Sequence, residues 1–190
     1  MALPKVNEEV IRASIRNILR ALGEDPDREG LKDTPDRVAR LYSDVLDGAF
    51  CELPKVTSFK EETYGGIVSV HHFPFYGFCE HHLVPFCGTA AIAYLPDKHT
   101  LGLSKLVRIF RYYTKRISIQ ERLTQQALAA VVKIAEPKGA IVWARAEHMC
   151  MTLRGVKSPG SHTTTLAYSG EFETNIALRQ QFVEEAGSKL

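Results

Sequence analysis

Two runs of β-branched, aromatic and small residues, Ile67 to Phe75 and Phe86 to Leu95, are separated by one short connection, and that closeness constrains the fold more than any other feature. Parallel pairing needs a crossover of about a dozen residues or more, usually a helix, so these runs return on each other as an antiparallel pair. The connection carries Cys79, Glu80, His81 and His82 in succession, followed by Leu83, Val84 and Pro85. A thiol, a carboxylate and two imidazoles side by side are costly to bury unless something binds them. The turn between the strands therefore points to an ion or a reaction.

The order of periodicities sets the rest of the architecture. Ile11, Ile15, Ile18, Leu19 and Leu22 recur at helical spacing, with Asn7 as N-cap, Glu8 and Glu9 in the first turn and Gly23 as the stop. A second helix has Thr34 as its cap and Pro35 at its first position, with Val38, Leu41, Val45 and Leu46 as its buried stripe, and ends by Gly48. Residues 49–64 have no clear period, so a helical arm over 1–62 is expected to precede a main domain over 63–190. After the first two strands come helices over 104–117 and 120–136, a strand over 140–151, a turn-rich stretch, a strand over 163–172 and a helix opening near Thr174. Short connections make the sheet four-stranded and antiparallel, with both central helices on one face, in an α+β layout.

Composition excludes several classes. Of 190 residues, 45% are hydrophobic and 24% charged, the balance of a globular chain and not of a disordered one. A net charge of +2 is too small to imply a nucleic-acid or membrane surface. The N-terminal stretch is amphipathic and lacks a signal peptide's unbroken apolar segment, and no apolar run approaches membrane-spanning length, so a cytoplasmic protein is expected. In such a reducing compartment Cys51, Cys79, Cys87 and Cys150 are free thiols or metal ligands, not disulfides.

Cys79 and His82 have the C-x2-H spacing that lets one turn deliver a thiolate and an imidazole to one ion. On an extended strand His148 and Cys150 would project to the same side and complete the set. If all four ligate, the site is closed and structural. If only three do, a position stays open for water and the ion can do chemistry. The ionisable groups left over, Glu80, His81 and in the open case His148, favour the open site. The plainer alternative, polar side chains satisfied without metal, must account for two cysteines and three histidines in two compact clusters.

The stretch from Leu101 to Arg116 carries Lys105, Arg108, Arg111, Lys115 and Arg116 without one acid. A solvated helix face would explain these cations. With Ser104 as N-cap, however, Lys105 and Arg108 share the face at the helix start, where positive charge opposes the helix dipole unless an anion lies over it. Arg154 could join them, and several cations aimed at one place suit a triphosphate. Ser118 and Glu121 fit a capping box, S-x-x-E. Equally, the Glu121 carboxylate, with Gln120 beside it, could accept from the paired N–H donors of a guanine edge.

Five stretches in order, Cys79–Phe86, Gly102–Phe110, Gln120–Gln126, Glu147–Val156 and Thr163–Phe172, closely resemble GTP cyclohydrolase I. The resemblance implies the tunnelling fold, an antiparallel sheet backed by two helices, with five subunits closing a barrel and two rings forming a decamer whose sites lie at subunit boundaries. It implies Zn2+ held by Cys79, His82 and Cys150 in an open site that activates water for attack on guanine C8. His148 then donates a proton to the purine nitrogen and His81 orients substrate or water. Gln120 and Glu121 hold the guanine edge, Ser104 lies near the ribose, and Lys105, Arg108 and Arg154 gather the triphosphate. The implied reaction releases C8 of GTP as formate and forms 7,8-dihydroneopterin triphosphate, with no role for nucleic acid or membrane. The sequence departs from the family at Gly77, where serine is frequent, and at Phe78. Rival readings are a nitrile reductase of the same fold and a nucleotide-binding module with a structural zinc. Cys51 and Cys87 match no ligand position and are expected to be small buried hydrophobes.

Overall fold

A computed structural model describes residues 6–49, 52, 53, 55, 58, 59 and 65–188. Contacts divide the chain into two compact units, Met1–Glu52 and Leu53–Leu190. Cys51 lies outside the described residues, as does most of the stretch expected to join the two parts.

The first unit holds α1 (Glu8–Ala21) and α2 (Thr34–Val45), closed by a 3-10 turn over Asp47–Ala49. Asn7 caps α1 as expected, its side chain accepting from the Val10 N–H at 3.1 Å. At α2 the cap is Asp33 and not Thr34, without a side-chain bond, and Thr34 and Pro35 open the helix. Polar bonds tie the two helices: Arg12 Nε to Asp36 at 2.5 Å and Ser43 Oγ to Glu8 at 2.8 Å. The expected buried stripe of α2 is only partly realised. Pro35 and Ala39 are buried while Leu41 is 48% exposed, because two short helices cannot enclose much apolar surface between them.

The second unit runs β1 (Ser58–Phe59), β2 (Val68–Cys79), β3 (Pro85–Leu95), β4 (Thr100–Leu101), α3 (Leu103–Thr114), β5 (Ile117–Ser118), α4 (Gln120–Ala135), β6 (Gly139–His148), α5 (Met149–Thr152), β7 (Thr163–Gly170), α6 (Glu171–Thr174) and α7 (Ile176–Gly187). The main sheet has the order β5-β2-β3-β6-β7. Four of its strands form the expected antiparallel ladder, but the four-stranded description needs correction. Ile117 and Ser118 add a fifth strand, parallel to β2 opposite Phe78 and Cys79, so the sheet is mixed. The fifth strand escapes sequence patterning because a two-residue pairing has no period to display.

α3 and α4 cover one face, packing Leu106, Ile109, Phe110, Leu123, Ala127 and Val131 against Phe73, Phe75, Ile92 and Val142. On the other face α6 and α7 bring Phe172 and Phe182 against Ala91, Ala93, Ile141 and Trp143. With both faces covered, β3 is buried without interruption from Ala90 to Tyr94, which is why its sequence is apolar throughout and not alternating. Gly88 permits the close approach of β3 to β6: a Cβ there would stand 1.9 Å from the Arg145 carbonyl oxygen.

A second correction concerns Cys150. The expected strand over 140–151 stops at His148, which pairs with Phe86, and Cys150 lies in the helical turn α5. Beyond that register β3 has run out, and its first residue, Pro85, has no N–H to extend the ladder. β7 starts only opposite Ala146. With no strand partner on either side, the chain coils.

Candidate active site and metal centre

The turn from Cys79 to Val84 is built by the chain's own backbone. The Cys79 N–H donates to the Val84 carbonyl at 3.0 Å, the Leu83 N–H to the Cys79 carbonyl at 2.9 Å, and Leu83 adopts a left-handed φ of 54°. The Glu80 N–H donates to Ser118 O at 3.1 Å, so β5 braces the turn from the side. Glu80 is engaged rather than spare. Its carboxylate takes a two-pronged bond from Arg122 on α4, one prong at 3.2 Å, and that guanidinium holds its carboxyl below the usual range.

Cys79 Sγ, an imidazole nitrogen of His82 and Cys150 Sγ lie within 4.8 Å of one another. A four-coordinate ion with bonds of about 2.0–2.3 Å requires donors roughly 4 Å apart or less, so a small contraction closes the set on a cation. The chemistry fits as well: burial and the adjacent Cys79 sulfur push the Cys150 thiol up, and a cation between the two sulfurs would reverse that pressure. These three residues could hold a metal. α5 does what the strand was expected to do, bringing Cys150 to the group two residues past the end of β6.

His148 stands outside that group. Its Nε2 is 2.8 Å from Gln120 Oε1, and its ring stacks on Phe86 at 4.6 Å between centroids and 5° between planes. Burial lowers its pKa below the ordinary imidazole value, against the raising influence of Glu121. Gly77 makes room for the stack, since a Cβ there would lie 2.4 Å from Phe86 Cζ. Gln120 is fully buried, and the two protons of its NH2 are shared among three acceptors, Ala144 O at 3.0 Å, Thr163 O at 3.1 Å and Thr165 Oγ1 at 3.0 Å. Sequence reasoning missed Phe86, Thr124, Thr163 and Thr165 in this neighbourhood. Threonines in a helix or a strand and a phenylalanine beside a proline carry no local mark of a site.

The cavity, of about 210 Å³, is lined by Cys79, His81, Phe86, Ser118, Ile119, Gln120, Glu121, His148, Cys150 and Thr163. It is smaller than the ~300–1,000 Å³ of a whole small-molecule site. His81, with 65% of its side chain exposed, brings Nδ1 to 3.9 Å from Cys79 Sγ. Glu121 reaches the cavity without acting as a cap. The residue before α4 is Ile119, no side-chain cap bond forms, and Ser118 is held in β5 with its hydroxyl on Ile119 O at 3.3 Å. Ser104 is no cap either: Gly102 precedes α3 in an extended conformation, with no side-chain cap bond. Ser104, Lys105 and Arg108 do not line this cavity among the described residues; Lys105 Nζ reaches Lys55 O at 3.4 Å, and Ser104 and Arg108 are exposed. Arg154, in the turn after α5, comes within 3.2 Å of His82 Nε2. Cys87 is a half-buried free thiol in β3.

The family model described as GTP cyclohydrolase I matches residues 11–187. The chain belongs to that family. A "GTP cyclohydrolase 1" of Caldanaerobacter subterraneus subsp. tengcongensis is 45% identical over 186 residues, covering 97% of this chain and 99% of its own. One from Clostridioides difficile is 49% identical over 181 residues, covering 93% of this chain and 95% of its own. A solved structure titled as the archaeosine synthase QueF-Like in the apo form covers 55% of this chain and 93% of its own, with TM-score 0.46 and 16% identity. As a member of the GTP cyclohydrolase I family the chain is an enzyme, and Cys79 and Cys150 of the three-donor group line the same cavity as the half-buried His148. Among the described residues no helix is long and apolar enough to cross a membrane.

Proposed function

We propose that this chain converts GTP and water to formate and 7,8-dihydroneopterin triphosphate, with Zn2+ as the resident metal. The observation that carries the reading is a three-donor Cys and His group whose two cysteines line the same cavity as a half-buried histidine outside that group. When bound, the ion supplies Lewis acidity that lowers the pKa of a water near guanine C8. Two additions of water across the imidazole ring release C8 as formate; the opened ribose then recloses with loss of one water, leaving one consumed overall.

The chain's own residues divide the remaining work. His148 handles the proton at the purine nitrogen, from a position fixed against Phe86. Glu121 accepts from the N1–H and exocyclic amine of guanine, paired donors that adenine lacks. His81, exposed beside Cys79, orients water or substrate. Lys105, Arg108 and Arg154 hold the triphosphate, with Ser104 near the ribose. The cavity is too small for a whole nucleotide and α3 stands outside it, which supports sites shared between neighbouring copies in a decamer of two pentameric rings of the tunnelling fold. A reducing cytoplasm would keep both thiols available to the metal.

A structural zinc would need a fourth donor, and His148, the fourth donor of the closed-site reading, is engaged by Gln120. The reductase reading loses its ground to the family match. Incubation with GTP, followed by oxidation to a fluorescent pterin and assay of formate, tests the proposal. His148→Ala should retain metal and lose product formation. Loss of zinc from that variant would instead restore the closed structural site, and absence of both products from the wild type would end the proposal.

A further inference from the structure

Gln120 was expected beside the guanine edge, but its side chain is engaged elsewhere. The carbonyl oxygens of Ala144 and Thr163 can only accept, so the group of Gln120 that faces them is its NH2. The amide orientation follows from these partners. Its Oε1 is then the atom 2.8 Å from His148 Nε2, and an amide oxygen can only accept. His148 Nε2 must carry a proton. The surrounding hydroxyls reinforce the assignment: Thr124 Oγ1 gives its one proton to Gln120 O at 2.8 Å, so in the 2.7 Å Thr124 and Thr165 contact Thr165 donates. Thr165 Oγ1 is thereby free to accept from Gln120 at 3.0 Å.

We infer that Gln120 is a positioning residue that holds His148 as the Nε2–H tautomer, leaving Nδ1 as the ring nitrogen that exchanges a proton with substrate. The Nε2–H bond to Gln120 survives whether Nδ1 is bare or protonated, so the ring can give and regain a proton at Nδ1 without reorienting. Stacking on Phe86 removes the other freedom, rotation of the ring out of plane. The backbone carbonyls that orient Gln120 belong to β6 and β7, so the sheet itself sets the tautomer. The inference rests on the proposed role of His148 as the proton-handling group.

The test uses zinc-loaded protein labelled with 15N in its histidine rings, with the His148 signals identified by their loss in His148→Asn. In the wild type the neutral ring should show a proton on Nε2 and a bare Nδ1. Gln120→Met, which keeps the length and removes the acceptor, should populate the other tautomer and lower kcat on the order of 100-fold, the cost of misplacing a reacting group, with KM for GTP little changed. Gln120→Glu, whose protonated carboxyl can donate to a backbone carbonyl and still accept from Nε2–H, should keep the tautomer and recover part of kcat. A neutral wild-type ring with its proton on Nδ1, or a Gln120→Met protein with an unaltered tautomer, overturns the inference. If Gln120→Met does not fold, the wild-type spectrum decides. Since the spectrum needs no turnover, a wild type that fails to convert GTP sinks the proposed function while the role of Gln120 is still decided by the tautomer.

Discussion

The two ends of the proposed nucleotide site are held in opposite ways. At the cavity, His148 is stacked on a buried ring and bonded to a fully buried amide that is itself bonded to two strands. At the other end, Ser104 and Arg108 stand exposed on α3, Lys105 reaches one backbone carbonyl at 3.4 Å, and Arg154 lies in a turn. The contrast follows from what each end has to do. Proton transfer depends on sub-ångström placement, which suits the group proposed to perform it being built into the sheet. Attraction of a triphosphate works over several ångströms through long, adaptable cationic side chains, which need no such fixing.

Substitutions at the two ends should therefore fail differently. The largest effect is expected at the metal group, where Cys150→Ser should lose both bound zinc and pterin formation, measured by metal analysis and product fluorescence. Next comes Gly77→Ala, whose new Cβ would meet Phe86 at 2.4 Å. The crowding should cost about 1–3 kcal/mol in a denaturant titration and lower kcat by displacing the ring on which His148 rests. Arg108→Ala should leave the melting temperature unchanged and raise KM for GTP roughly tenfold, the value of one charge-assisted hydrogen bond of about 1.5 kcal/mol, with the increase shrinking at high salt. A fall in kcat without a change in KM would break the comparison, since it would put Arg108 with the fixed end.

The smallest effect concerns the turn that carries Arg154. Glu147 accepts from the Gly160 N–H at 3.0 Å and from Thr152 Oγ1 at 3.1 Å, and these bonds hold its carboxyl below the usual value. A carboxylate lowered in the folded state stabilises above its unfolded pKa and loses that contribution as pH falls through the folded one. The hydrogen-exchange protection factor of the Gly160 amide should accordingly decline with acidification below the ordinary 4.5. In Glu147→Gln the same amide should show no such decline.

Much of this molecule was legible in the sequence, and the misses share a cause. The helix start at Asn7, the paired strands around Cys79 and the helix expected over 120–136 are local, set by side chains within a few residues. The errors fall where a distant partner intervenes. Ser118 looked like a cap and is a strand because Cys79 lies opposite it; Cys150 looked like a strand residue and is helical because β3 ends at Pro85. For Gln120, likewise, no spacing rule could foretell that the carbonyls of Ala144 and Thr163 would take its side-chain amide.

The sequence by itself determined the kinds of chemistry available: two thiols, three imidazoles and a set of cations, placed on elements whose periods are readable within one turn or one strand. Only the tertiary structure decided how those groups divide their roles, separating His82, beside the two sulfurs, from His148, bonded to Gln120. The physical reason is that an imidazole's function is fixed by the partner of each ring nitrogen, and those partners come from strands and helices far apart along the chain.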